Sequence, residues 1–90
     1  MNIHIKRPLH ARELSLSPGN YQINIDEDNN QVVLSNATGM FRLGATKRSR
    51  KTRVTRPSAH LRQVVGEPRW LLLVQVPHAH EWVVSLSEVL

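Results

Sequence analysis

Apolar and polar residues alternate with a period of two through much of the first part of the chain. The alternation runs through residues 3–6, 14–16 and 21–25. Successive side chains of a strand point to opposite faces, so this period is typical of a sheet with one face buried. The pattern therefore predicts three half-buried strands.

Turn-forming residues separate the predicted strands. Pro18 and Gly19 suit a tight turn, because proline fixes φ at one position and glycine tolerates a positive φ at the next. We therefore expect residues 14–25 to form a hairpin. The polar residues 26–30 predict a second turn, which leads into a further strand over residues 31–35.

The C-terminal third is the most apolar part of the chain. Residues 70–76 are apolar at every position except Gln75, a composition typical of a central strand covered on both faces. After a short connection at 77–81, the alternation at 82–87 predicts the second strand of a hairpin. With the other strand signals, this indicates a mainly β fold in one domain: a barrel or sandwich of about five to seven strands, of SH3-like or OB-like type.

Residues 57–65 show a different spacing from the rest of the chain. Leu61, Val64 and Val65 fall at positions i, i+3 and i+4, with a proline near the start and Gly66 just after the end. Proline is common in the first turn of a helix and glycine just beyond its last turn. The spacing predicts one short helix near residues 57–65.

Positive charge is concentrated in the middle of the chain. The formal net charge is +5, but residues 42–69 hold nine basic residues and one acidic residue, whereas the remainder holds three basic and six acidic. Residues 47–56 alone carry six of the basic side chains. Neither face of a strand there could be buried, so we expect residues 44–57 to form a protruding basic arm or loop of a single domain spanning residues 1–90.

A dense run of lysine and arginine attracts polyanions. Cations that neutralise phosphates release counterions, and a segment without interleaved aromatic residues favours backbone contact over base stacking. We therefore predict a non-catalytic nucleic-acid-associated module that contacts the phosphate backbone. The residues predicted to bind nucleic acid or another polyanion are Arg42, Lys47, Arg48, Arg50, Lys51, Arg53, Arg56, Arg62 and Arg69.

The same arm suits a second class of function. In a protein-interaction or assembly subunit, for instance in a larger complex or a phage particle, the arm would meet an acidic protein surface. Exposed strand edges would then pair with copies of the chain into a homo-oligomer. A third interpretation is a solvated loop that keeps the protein soluble or meets the acidic residues 26–28.

Side chains suited to catalysis or metal binding are sparse. The chain has no glycine-rich phosphate loop and no nucleophile elbow, so we predict neither an enzyme nor a cofactor. His78 and His80 have the spacing of two metal ligands on one strand face, but a polar hairpin tip is the favoured interpretation because a third ligand must come from elsewhere. The absence of cysteine, the charged start of the chain and its short apolar runs predict a cytoplasmic protein without a membrane span.

Overall fold

Two antiparallel sheets make up the described part of the protein, which in this computed structural model comprises residues 1–49, 56–77 and 80–88. The predicted mainly β fold is confirmed. The strands are β1 (Asn2–Ile5), β2 (Leu9–Ala11), β3 (Leu14–Leu16), β4 (Gly19–Asp26), β5 (Gln31–Asn36), β6 (Gly39–Gly44), β7 (Thr46–Ser49), β8 (Ser58–Gln63), β9 (Arg69–Val76) and β10 (His80–Glu88).

Sheet A has the strand order β1-β4-β5-β6. The period-two alternation decides which side chains are buried, because Ile3 pairs with Tyr21 and both point toward sheet B. The polar turn predicted at 26–30 is confirmed, and it joins β4 to β5 in a hairpin that begins at the pair Asp26 and Gln31.

Sheet B has the order β3-β2-β10-β9-β8, and β7 also pairs with β10. The predicted hairpin of the last two strands is confirmed as β9 and β10. The other edge of β10 is divided between two partners. His80 to Val83 pair with β7, whereas Ser87 and Glu88 pair with β2.

The core lies between the two sheets and is mainly aliphatic. Trp82 is its largest fully buried side chain, and the ring of Tyr21 meets Phe41 edge-on at 6.1 Å between centroids. The core residues are Ile3, Ile5, Leu9, Leu16, Tyr21, Ile23, Val32, Leu34, Leu43, Leu72, Val74, Trp82, Val84 and Leu86.

The hairpin predicted over residues 14–25 is wrong. β3 pairs with β2, and β4 pairs with β1 and β5, so the chain passes from sheet B to sheet A at Gly19 instead of turning back on itself. Gly19 has a φ of 147°, and the Tyr21 hydroxyl donates a 2.6 Å hydrogen bond to the carbonyl of Ser17 across this crossing. Alternation predicted the strands but carries no information on which neighbour each strand takes.

The helix predicted near 57–65 is also wrong. Residues Ser58–Gln63 form β8, which pairs with β9. Ala59 and Leu61 pack against the core at a spacing of two, whereas Val65, which completed the helical spacing, is 97% exposed. Gly66 lies in the turn to β9 with a φ of 79°. The sheet overrides a helical pattern that rested on three residues.

The described strands form a sandwich-like arrangement and not a closed barrel, so of the two predicted alternatives the sandwich is supported and the closed barrel is wrong. The ten described strands exceed the predicted number because the short strands β2 and β7 were not predicted and β8 was predicted as a helix. Strands as short as β2 and β7 give little periodic signal. Within the described ranges no helix is long and apolar enough to span a membrane.

Candidate polyanion-binding face

The outer face of sheet B, called here the basic face, is assigned by the pairing register. Leu72, Val74, Trp82 and Val84 are buried toward sheet A, so alternate residues of the same strands point outward. The outward residues are His10 (β2), Ser15 (β3), Thr46 and Arg48 (β7), Ser58, His60 and Arg62 (β8), Arg69, Leu71, Leu73 and Gln75 (β9), and Glu81, Val83, Ser85 and Ser87 (β10).

Three of the predicted binding residues, Arg48, Arg62 and Arg69, share this face. Arg69 lies 3.0 Å from Glu67 in an exposed ion pair, which contributes little net attraction in water. Arg62 is exposed and forms no ion pair with a described residue. With the histidines counted as neutral, the three arginines exceed Glu81, the one acidic residue among those assigned to this face.

Glu81 anchors a polar row that crosses four strands. Its side chain is only 5% exposed, and Arg48 donates a hydrogen bond to its Oε1. Gln75 Nε2 donates to Glu81 Oε2 at 3.4 Å, and Ser58 Oγ donates to Gln75 Oε1 at 3.4 Å. A buried carboxylate needs such partners, so Arg48 serves the fold as well as the surface charge.

Lys47 lies on the opposite side of β7 from Arg48. It pairs in register with Trp82, and its Nζ lies 5.6 Å from the centroid of the buried indole ring. This is a cation-π contact. The Lys47 side chain therefore lies on the inner side of sheet B. It does not add to the basic face.

Arg42 lies on the outer face of the other sheet. Its Nη1 is 3.2 Å from Asp26 Oδ2 and 3.5 Å from Gln31 Oε1. The hydrogen bond from Asn29, and after it the guanidinium of Arg42, hold the pKa of Asp26 below its ordinary value. The fold thus separates Arg42 from the other predicted binding residues.

The remaining predicted binding residues belong to the link between β7 and β8. Arg56 is exposed just before β8. Arg50, Lys51 and Arg53 lie outside the described residues. The strands on either side of this link, β7 and β8, both belong to sheet B.

At the far end of the sandwich, a second cation lies against a tryptophan. Arg7 is 5.4 Å from the ring centroid of Trp70, and both side chains bond to Glu88. A cavity of about 410 Å³ opens beside them between β1 and β8. Its floor is aliphatic, with Ile3 and Leu61 among the lining residues.

The polar row and the apolar centre of the basic face were not predicted from the sequence. Glu81 and Gln75 stand beside buried neighbours in their strands, but nothing in the sequence shows that they lie opposite each other. Leu71 and Leu73 were expected to be covered on the outer face, yet they are only half-buried there. The register between β9 and β10, which sequence alone does not supply, is the missing information.

No metal centre is formed by the described residues. No group of three or more histidine or acidic side chains comes close enough there to hold an ion. His80 lies in β10, and His78 lies outside the described residues.

The described residues define a mainly β protein of two antiparallel sheets, the second of which carries a basic outer face. Comparison of the sequence with protein-family models and curated proteins, and of the structure with solved structures, gives no match.

Proposed function

We propose that this protein is a non-catalytic nucleic-acid-associated module that contacts the phosphate backbone through residues 47–56 and the basic face. The observation that supports it best is the placement of Arg48, Arg62 and Arg69 on one face of a sheet. These residues come from three different strands and are brought together only by the fold.

The charge balance indicates which part supplies most of the affinity. Arg48 is paired with Glu81 and Arg69 with Glu67, so the face itself has a small net charge. Within 47–56, four further basic residues have no acidic neighbour in the sequence between Asp28 and Glu67: Arg50, Lys51, Arg53 and Arg56. Binding should therefore depend mainly on that segment, with the face as an auxiliary contact.

The chemistry of the face favours contact with little sequence preference. The centre of its described part is aliphatic, formed by Leu71, Leu73 and Val83, and none of its assigned residues is a phenylalanine, tyrosine or tryptophan. Base-stacking platforms use aromatic rings, whereas arginine and serine bond readily to phosphate oxygens.

The test is a fluorescence-anisotropy titration of an oligonucleotide at several salt concentrations. The variant replaces Arg50, Lys51, Arg53 and Arg56 with glutamine and keeps Arg48, because removing Arg48 would leave the buried Glu81 without that partner. Four lost phosphate contacts should reduce the slope of log affinity against log salt by roughly 3–4.

The control Lys6→Gln removes one charge away from the segment and should leave the slope unchanged. Equal affinity and equal salt slope in wild type and the segment variant would contradict the proposal. A discrete oligomer that persists on sizing at high salt, without nucleic-acid binding, would favour the assembly function instead.

A further inference from the structure

One edge of β10 pairs with β9, and the other edge is shared by β7 and β2. Along this second edge there is a break in the pairing between β7 and β2. β7 pairs up to Val83 and β2 pairs from Ser87, so on this edge no described strand pairs with Ser85, whose other side pairs with Leu71 of β9. The four steps from Val83 to Ser87 along the strand span about 13 Å. The break is therefore wide enough to admit a small molecule.

The main chain of Ser85 faces this break. Glu88 N donates to Pro68 O at 2.8 Å, so the even-numbered residues of β10 direct their N–H and C=O groups toward β9. In an antiparallel strand alternate residues direct both groups to opposite neighbours, so the odd-numbered residues face β7 and β2. Ser85 therefore presents one donor and one acceptor at the break.

A polar cleft of about 960 Å³ lies over the break. One wall is the β2–β3 hairpin and the other is the passage from β6 to β7, where Ala45 N donates to Asn30 O at 2.9 Å. Arg12 and Arg42 are both among the lining residues, and so is the exposed Leu14. This volume lies in the range of roughly 300–1,000 Å³ typical of small-molecule sites.

The backbone of the cleft walls holds residues in an uncommon conformation. Arg12 and Asn30, with φ values of 55° and 51°, are the two non-glycine residues with positive φ in the described ranges, and both line the cleft. Asparagine tolerates this region. Arginine does not favour it, and a two-residue hairpin turn usually has glycine, asparagine or aspartate there. Uncommon backbone conformations cluster at binding sites.

The lining matches the parts of a nucleotide. The charged lining residues are Arg12, Arg42 and Glu13, and the two guanidinium groups suit a phosphate. The main chain of Ser85 and the Gln31 amide offer base-edge hydrogen bonds, and Leu14 offers an aliphatic surface to a base. Ser85, His10 and Thr46 also belong to the basic face, so the cleft adjoins the surface proposed above for nucleic acid.

We propose that this cleft binds a nucleoside phosphate, as a free nucleotide or as one unit of a bound strand; the choice of a nucleotide over other organic anions rests on the proposed function. Arg12 is the principal phosphate ligand, because Arg42 is shared with Asp26. A bound phosphate therefore competes with Asp26 for Arg42.

The test follows backbone amide NMR signals while adenosine monophosphate, inorganic phosphate or a single-stranded dodecanucleotide is added. We expect the monophosphate to shift the signals of Ser85 and Leu14, and to bind at least tenfold more tightly than inorganic phosphate. Equal affinity for the two would show that only the oxyanion is recognised and would overturn the proposal.

Two substitutions with opposite expected effects probe the phosphate ligands. Arg12→Gly should weaken monophosphate binding at least tenfold while the melting temperature stays at or above that of wild type, because glycine suits the positive φ. Asp26→Asn should tighten binding severalfold, because it releases Arg42. Lys6→Gln removes one charge outside the cleft and should leave the affinity unchanged.

The outcomes separate this proposal from the proposed function. If the dodecanucleotide binds wild type and Arg12→Gly equally and the monophosphate moves no cleft signal, the cleft proposal fails and the proposed function stands. If the monophosphate binds in the cleft but the dodecanucleotide does not bind, the proposed function fails and the cleft is a free-nucleotide site. If neither binds, both are overturned.

Discussion

Trp70 and Glu88 are joined by a hydrogen bond of 2.8 Å, in which the indole Nε1 donates to the carboxylate Oε1. The same oxygen accepts a hydrogen bond of 2.9 Å from Arg7 Nη1. Glu88 therefore links β10 both to its neighbour β9 and to the segment before β2. The hydrogen bond from Trp70, and after it the contact with Arg7, hold the pKa of Glu88 below its ordinary value.

This arrangement predicts a loss of stability in acid. Because the pKa is lowered in the folded state, the stabilising contribution is present above the ordinary value of 4.5 and is lost as the pH falls through the folded pKa. Glu88→Gln should reduce the urea midpoint at neutral pH and lose this part of the pH dependence. Urea titrations of both proteins between about pH 6 and about pH 2 measure the effect. A difference between them that stays constant across this range would contradict the prediction.

Replacement of a buried valine and of an exposed valine by alanine compares the contributions of the core and the surface to the free energy of unfolding. Val74 is fully buried in β9 and Val65 is 97% exposed. Val74→Ala should lower the free energy of unfolding by about 2–3 kcal/mol, because it removes buried methyl groups and leaves a cavity. Val65→Ala should change it by less than about 0.5 kcal/mol. Urea denaturation measures both, and similar losses would show that β9 does not form the core described here.

Gly66 lies in the turn between β8 and β9, where the sequence predicted the end of a helix. A substitution at Gly66 tests this turn. Its φ is 79°, and a Cβ there would meet nothing within 4 Å, so the cost of a substitution is conformational and not steric. Gly66→Ala should destabilise the protein by about 1–2 kcal/mol. Gly39→Ala is the control, because Gly39 also has open space around it but lacks a positive φ. Thermal melts of the two variants should differ accordingly, and equal melting temperatures would contradict the turn.

If the proposed function holds, Arg62 should contribute one phosphate contact from the basic face. Arg62→Gln should reduce the slope of log affinity against log salt by about 1, with a uniform loss across nucleic-acid sequences. Lys6→Gln makes the same change of charge in the link between β1 and β2 and should leave the slope unaltered. A decrease as large for Lys6→Gln would show that net charge, and not the basic face, determines binding.

Short apolar runs predicted β5 and β9, and period-two alternation predicted β1, β3, β4 and β10. It fixes which face of a strand is buried, as Tyr21 and Ile23 show, because burial depends on the side chains themselves. It could not fix the partner of β3, since Leu14 and Leu16 suit either neighbour. The mistaken helix had the same origin, because Leu61 fits both a spacing of two and a spacing of three or four.

The candidate site was less predictable than the fold. The basic run at 47–56 is visible in the sequence, but the grouping of Arg48 with Arg62 and Arg69 depends on strand order and register. Strand order and register also place Lys47 on the inner face of sheet B and Arg42 on sheet A. Ser85 gives no signal at all in the sequence, because its exposed main chain results from the division of one strand edge between β2 and β7.

The position of β10 between β9 and strands from much earlier in the chain has a consequence for how the protein is made. Arg7 and Glu88, which bond in the folded state, are 81 residues apart. Sheet A can pair as soon as β6 leaves the ribosome, but its apolar inner face stays uncovered until β10 has been synthesised. Closing so long a loop slows folding, so this apolar face stays exposed to solvent until late in synthesis.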